Sequence, residues 1–122
     1  MVWDRRALLR GAVATFRRPV ANNQKVSFGF DPAGSVLCSP AQDPSEILVF
    51  DMAATGTSGD GSRDHIAPAA TLSGPLVADA CALDVHPFLP FLAVISGRRV
   101  VDPAEDMSFN ALRFVQVPYA WR

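Results

Sequence analysis

The feature that most constrains this chain is a strand–turn–strand pattern over residues 26–39. Val26, Phe28 and Phe30 alternate with small or polar residues, and this period of two is typical of a half-buried β-strand. The Asp-Pro-Ala-Gly sequence that follows predicts a tight turn. The apolar run 36–38 then predicts a second strand that returns antiparallel to the first. The segment therefore predicts a β-hairpin with an apolar face.

Three residues give this turn its shape. The Asp31 carboxylate can accept hydrogen bonds from backbone N–H groups ahead of it. Pro32 fixes φ near the value that its position in the turn requires, and Gly34 can adopt the left-handed conformation needed at the exit. We expect Asp31, Pro32 and Gly34 to be structural turn residues.

The same layout recurs 55 residues further along, over residues 81–93. His86 takes the place of Asp31, and Pro87 takes the place of Pro32. The apolar positions of the two flanking strands coincide as well. We therefore assign His86 and Pro87 to a second structural turn, equivalent to the first.

Two other segments end in an aromatic residue followed by aspartate. They are Trp3-Asp4 and Phe50-Asp51, which lie 47 residues apart. Repeats of several tens of residues, each with a few short strands closed by such a pair, are typical of WD-repeat β-propellers. The sequence thus predicts an all-β fold: a partial WD-repeat β-propeller of about two four-stranded antiparallel blades in an incomplete ring.

The chain has 122 residues, whereas a closed propeller needs at least four blades of roughly 40 residues each. We therefore expect a C-terminal fragment of a longer propeller, in which residues 1–16 end one blade. Residues 24–74 form the next blade, with a flexible Gly/Ser-rich insertion at 53–67, and residues 79–122 form the last. The alternative is a small all-β domain that associates with itself to complete its core.

Composition excludes several other classes of protein. The formal net charge of −1 gives no global field toward nucleic acid or a membrane. This argues against DNA binding and weakly against RNA binding, for which a local basic patch can suffice. No apolar run approaches the ~18 residues of a membrane span. Cys38 and Cys81 form neither a metal motif nor a disulfide framework. We expect both to be small buried hydrophobes in an intracellular protein, with no metal and no cofactor.

No catalytic pattern emerges from the sequence. The Gly-rich segment 55–62 lacks the lysine and the spacing of a phosphate-binding loop. His86 with Asp84 lacks a nucleophile elbow, and the repeat already assigns His86 to a turn. We predict that the chain is not an enzyme.

Basic residues offer the candidate binding site. Arg17, Arg18 and Lys25 flank the connection into an inner strand, and Arg98 and Arg99 follow the second hairpin. Loops at one rim of a propeller can present arginines to phosphates, so these five residues are the predicted RNA-binding set. The alternative interpretation is solvated loop charge.

Longer motifs add a family resemblance. Residues 22–37 resemble the penultimate repeat of the telomerase Cajal body protein family, where an Asn-Gln-basic-aliphatic strand leads into Asp-Pro-x-Gly. Residues 85–93, followed by Ser-Gly-Arg-Arg at 96–99, resemble that family's last repeat, with its His-Pro-x-Leu-Pro-x-Leu-Ala segment. The chain departs from the family pattern at Gly29, where a larger residue is usual, and at Phe50-Asp51, which replaces Trp-Asp.

The resemblance implies a nuclear, non-enzymatic WD-repeat scaffold. Such a protein binds small Cajal body RNAs and telomerase RNA, associates with box H/ACA ribonucleoprotein proteins, and directs these particles to Cajal bodies. The alternative function is a generic WD-repeat scaffold for protein–protein interaction that makes no RNA contact.

Overall fold

A computed structural model of the chain describes residues 2–3, 6, 12–20, 25–42, 45–54, 65–97 and 111–117. Regular structure in these ranges consists of ten β-strands and one short 3₁₀ turn, with no α-helix among them. The strands form three separate sheets that do not close into a ring within these ranges. The all-β, blade-like prediction is thus confirmed.

The strands follow the chain in order. Their bounds are β1 Val2–Trp3, β2 Ala12–Phe16, β3 Gly29–Phe30, β4 Val36–Ala41, β5 Glu46–Asp51, β6 His65–Ile66, β7 Ala70–Leu72, β8 Ala80–Val85, β9 Phe91–Ser96 and β10 Ala111–Gln116. The first sheet has the order β1-β2-β6, the second sheet β3-β4-β5-β7, and the third sheet β8-β9-β10.

The second and third sheets share one plan. In the second sheet each strand pairs antiparallel with the next in the sheet, from β3 through β4 and β5 to β7. The third sheet runs in the same way from β8 through β9 to β10. The first sheet differs, because β2 pairs antiparallel with β1 but parallel with β6.

The 55-residue repeat is visible in the hydrogen bonds of the two hairpins. The N–H of Asp31 donates to the carbonyl of Val36 at 3.0 Å, and the N–H of His86 donates to the carbonyl of Phe91 at 2.9 Å. Strand β3 also pairs with β4 in the register, shifted by 55 residues, in which β8 pairs with β9. The two hairpins are therefore structural repeats as well as sequence repeats.

The main core lies between the second and third sheets. Alternate residues of β4 and β5 meet alternate residues of β8, β9 and β10, as expected for two stacked sheets. The buried side chains of this core are Cys38, Ile47, Val49, Val77, Ala80, Leu83, Leu92, Val94, Val115 and Val117.

The opposite face of the second sheet carries a smaller core, which consists of Leu37, Ala41, Leu48 and Phe50. Phe16 of β2 packs against it, and the ring centroids of Phe16 and Phe50 lie 5.0 Å apart. The three sheets are therefore stacked as layers, with the second sheet in the middle.

Strand β3 is shorter than the alternating pattern predicts, since it spans only Gly29–Phe30. The residues before it bond to the third sheet instead of to β4. The N–H of Ser27 donates to the carbonyl of Cys81, and the Ser27 hydroxyl accepts a bond from the N–H of Leu83, both at 3.3 Å. Segment 25–28 thus ties the two hairpins together.

The apolar face of this segment is not where the pattern places it. Phe28 is 58% exposed and Phe30 is 44% exposed. The reason is Gly29, whose α-carbon faces Leu83 and Val85 of the third sheet. Because side chains alternate along a strand, the two phenylalanines point to the other side, toward the first sheet.

The predicted insertion at 53–67 has structure at its ends, which differs from the expectation of a wholly flexible segment. Met52–Ala54 form the 3₁₀ turn. Strand β6, His65–Ile66, pairs with Thr15 and Phe16 of β2. Residues 55–64 lie outside the described residues.

The outer face of the third sheet is apolar and open. It carries Ile95, Leu112 and Phe114, all exposed, with Phe114 at 72%. Along β9 and β10 these side chains alternate with the buried ones, so they lie on the other face of the sheet. The repeat shows what covers the equivalent face of the second sheet, namely the third sheet itself.

Cys38 is fully buried, and burial raises the pKa of its thiol from 9.0 to about 12, with the Asp31 carboxylate adding to the effect. Cys81 is only half-buried, and its Sγ donates to the carbonyl of Ile95 at 3.3 Å. The expectation of two buried cysteines therefore holds for Cys38 and only in part for Cys81.

We expect Cys38 to be unreactive in the folded chain, because the thiolate is the reactive form. In a Cys81→Ser variant, a thiol reagent at pH 8 should label the protein only after urea is added. Rapid labelling without urea would contradict the burial of Cys38.

The raised pKa of Cys38 also makes stability depend on pH. The unfolded chain loses the thiol proton at a lower pH than the folded chain does, so the free energy of unfolding should fall as the pH rises from about 9 toward about 12.

Candidate nucleic-acid interface

The structure describes three of the five predicted RNA-binding residues. Arg17 and Arg18 directly follow β2. Lys25 is the first residue of segment 25–28, which we call the bridging segment and which leads into β3. Arg98 and Arg99 lie outside the described residues. The candidate site is therefore the region around Arg17 and Arg18.

Both arginines line a single cleft between the first and second sheets, with a volume of about 430 Å³. We call it the Phe–Arg cleft. Its described lining residues combine aromatic rings with cations and include no acid; they are Phe16, Arg17, Arg18, Phe28, Phe30, Leu37, Ser39 and Phe50. The cleft is thus apolar in its interior and positively charged at its wall.

Arg18 is held in place by the protein. Its Nη1 donates to the carbonyl of Val26 at 3.3 Å and to the Ser39 hydroxyl at 3.0 Å, and its Nη2 donates to the same carbonyl at 3.2 Å. These bonds fasten the bridging segment to β4. Arg18 therefore orders the wall of the cleft and also adds its charge there.

Arg17 and Lys25 are the available cations. Arg17 is exposed and lines the cleft. Lys25 is exposed too, next to the Val26 that Arg18 binds. Three positive charges therefore fall along this short stretch of the surface, which favours an anionic ligand.

The aromatic part of the cleft has two layers. Phe16 and Phe50 pack against each other at its base, with their planes tilted by 59°. Phe28 and Phe30 stand at the exposed rim in an edge-to-face pair, with centroids 6.0 Å apart and planes at 88°. Exposed pairs of large rings are unusual on a protein surface unless something binds them.

The first turn has the structure that its sequence predicts. Asp31 is buried, and its carboxylate accepts bonds from the Ser35 hydroxyl at 2.7 Å and from the Val36 N–H at 2.8 Å. Gly34 has a φ of +69°, the left-handed conformation, and Pro32 is exposed at the corner. These contacts and this backbone conformation are the ones that the turn assignment of the three residues requires.

The second turn uses an imidazole for the same purpose. Nδ1 of His86 accepts bonds from the N–H groups of Phe88 at 3.1 Å and Leu89 at 2.9 Å. Pro87 follows at the exposed corner. The Asp84 carboxylate accepts the N–H of Val85 at 2.9 Å. The imidazole thus caps the turn, as the repeat predicts.

The sequence pattern missed Phe28 and Phe30 as candidate binding residues. Alternation along a strand shows which residues share a face, and the apolar face that carries Phe28 and Phe30 was expected to be the buried one. Gly29 is the sequence signal that could have identified them. A glycine between two aromatic residues indicates that a neighbouring segment approaches closely on the glycine side, which leaves the aromatic residues on the other side.

Within the part of the chain that the structure describes, no group of three metal-ligating side chains lies together, and no helix has the length and hydropathy to span a membrane. Compared with family models and with curated proteins, the chain has no significant match.

Proposed function

We propose that this chain is part of a non-enzymatic WD-repeat scaffold that binds RNA and directs the assembly or localisation of a ribonucleoprotein. The resemblance to the telomerase Cajal body protein family names the ligands: small Cajal body RNA or telomerase RNA, together with box H/ACA ribonucleoprotein proteins. It also names the place, the nuclear Cajal body.

The observation that carries this proposal is the meeting of cations and exposed rings in one cleft. Arg17 supplies an exposed positive charge beside Phe28 and Phe30. Proteins that bind single-stranded nucleic acid combine a positive groove for the backbone with aromatic side chains for the bases. The Phe–Arg cleft contains both elements and no described acid that would repel phosphate.

A second candidate function is a protein-interaction scaffold without RNA contact. The observation that favours it is the open face of the third sheet, where Phe114, Leu112 and Ile95 are exposed together. Exposed apolar patches of this kind are typical of protein interfaces. This function and RNA binding use different surfaces, so they can be separated by mutation.

The test is to crosslink cells that express the tagged full-length protein and to sequence the RNA that co-purifies. We expect enrichment of box H/ACA RNAs or telomerase RNA over a tag-only control. Charge reversal by Arg17→Glu should reduce that enrichment at least about fivefold, and binding in vitro should weaken steeply as salt rises, because phosphate contacts release counterions. Arg6→Glu is the matched control, since Arg6 is exposed but does not line the cleft.

The control also separates the two candidate functions. A background RNA profile with the protein well recovered would refute RNA binding and leave the protein-interaction scaffold. Equal losses from Arg17→Glu and Arg6→Glu would show that the overall charge of the protein, and not the cleft, attracts the RNA.

A further inference from the structure

We propose that the Phe–Arg cleft takes one unpaired nucleobase, stacked on the exposed ring of Phe28 beside Phe30, with an adjacent phosphate on Arg17. This inference rests on the proposed RNA-binding function and specifies how the RNA is read. It makes the ligand a single strand with an accessible base, because a base inside a duplex has no free face to stack.

The geometry of the two rings supports a stacking site. An edge-to-face pair leaves one face of one ring, and both faces of the other, uncovered by the pair itself. Phe28 is more than half exposed and Phe30 nearly so. Stacking on such a ring does not depend on the identity of the base, since every base has a π-face.

The rings are also held in place before any ligand arrives. The backbone ahead of them is fastened on one side by Arg18, which binds the Val26 carbonyl. On the other side Ser27 bonds to Cys81 and Leu83. A platform that is ordered in the free protein spends less binding energy on its own ordering.

The cleft also offers a cation to a phosphate. Arg17 lines the same cleft as the two rings and is exposed, so one ligand can reach both a ring and the guanidinium. The planar guanidinium suits bidentate contact with a phosphate. The cleft volume of about 430 Å³ lies within the range of about 300–1,000 Å³ typical of small-molecule sites.

An acidic peptide with an aromatic side chain is the competing occupant. The RNA ligand is favoured because two exposed rings and two cations, Arg17 and Arg18, line one cleft whose described lining includes no acid. A repeated alternation of planar base and phosphate matches this arrangement better than a single aromatic side chain does.

The experiment measures binding of the full chain to a mixed-sequence eight-nucleotide RNA that contains one 2-aminopurine, whose fluorescence falls on stacking. We expect the fluorescence to change on binding to the wild type. Phe28→Ala should weaken binding at least about fivefold and abolish the change, whereas Phe28→Tyr should keep both, because one base stacked on an aromatic ring accounts for about that factor. Phe88→Ala is the matched control: Phe88 is 85% exposed and lies on the second turn, away from the cleft.

A second ligand tests the base directly. The same RNA with an abasic site in place of 2-aminopurine should bind the wild type as weakly as the intact RNA binds Phe28→Ala. A blunt duplex of the same RNA with its complement should bind more weakly than the single strand.

The outcomes separate the two proposals. If the RNA binds the wild type and Phe28→Ala equally while Arg17→Glu weakens it, the base site is refuted and RNA binding stands. If none of the RNAs binds the wild type, both proposals fail. If an acidic aromatic peptide binds in a Phe28-dependent manner and RNA does not, the cleft is a peptide site and the base site is refuted.

Discussion

Asp31→Ala should destabilise the folded chain by about 3 kcal/mol. The side chain is only 3% exposed, and its carboxylate accepts short bonds from the Ser35 hydroxyl and the Val36 N–H. Hydrogen bonds to a charged group contribute about 1.5–3 kcal/mol each. The Val36 N–H would also lose its acceptor at the point where β4 begins. The measurement is the midpoint of urea unfolding, followed by circular dichroism.

Two further variants make this prediction specific. Asp31→Asn keeps one oxygen as an acceptor and should cost about 1 kcal/mol. His86→Ala removes the equivalent cap from the second turn, and it should cost no more than about 1 kcal/mol because that turn is exposed and water can replace the imidazole. If Asp31→Ala and His86→Ala shift the midpoint equally, burial does not account for the role of Asp31.

The hairpins could be predicted from sequence because their information is local. The turn residues Asp31 and Gly34 act on backbone groups within five positions of themselves. The same holds for His86, which caps two N–H groups just after it. Local hydrogen bonding of this kind leaves a recognisable residue pattern, and the 55-residue repeat then supplied a second copy.

The cleft could be predicted only in part, because it depends on contacts between distant segments. The basic residues Arg17 and Arg18 stand out in the sequence, but their neighbours do not. Whether Phe28 and Phe30 are buried is decided by how far the first sheet extends over the second sheet, and no local pattern encodes that distance. The parallel pairing of β6 with β2 is also non-local, which is why the end of the insertion was not recognised as a strand.

The bridging segment also has a hydrogen-bond partner that its local sequence does not predict. Alternation over 26–30 suggested a longer β3, but Ser27 bonds to Cys81 and Leu83, more than 50 residues away in sequence. The local preference for an extended backbone was correct. The partner was set by the stacking of the two hairpins.

Gly29→Val should destabilise the chain by about 2–3 kcal/mol, although valine is the better strand former. A Cβ added at Gly29 would lie 3.1 Å from Cδ1 of Leu83 and 3.2 Å from Cγ2 of Val85. Gly29→Ala should be nearly neutral, because that tight contact is offset by the conformational entropy that glycine loses on folding, about 0.5–1 kcal/mol. The two branches of valine would force the sheets apart, and overpacking of this kind costs about 1–3 kcal/mol. Urea unfolding of the three proteins gives the comparison.

A double-mutant cycle identifies the contact responsible. Leu83→Ala alone should cost about 2–5 kcal/mol through the cavity it leaves. It also removes the Cδ1 atom that opposes a side chain at position 29, so the Gly29→Val/Leu83→Ala pair should be more stable than the sum of its parts by at least about 1 kcal/mol. Gly34→Ala provides the control, because Gly34 has a positive φ and nothing within 4 Å of its added Cβ; its cost should add to that of Leu83→Ala without coupling. Additivity at Gly29 as well would mean that the second and third sheets do not meet there. Coupling confined to Gly29 would show that the close approach of Leu83 is what requires a glycine at this position.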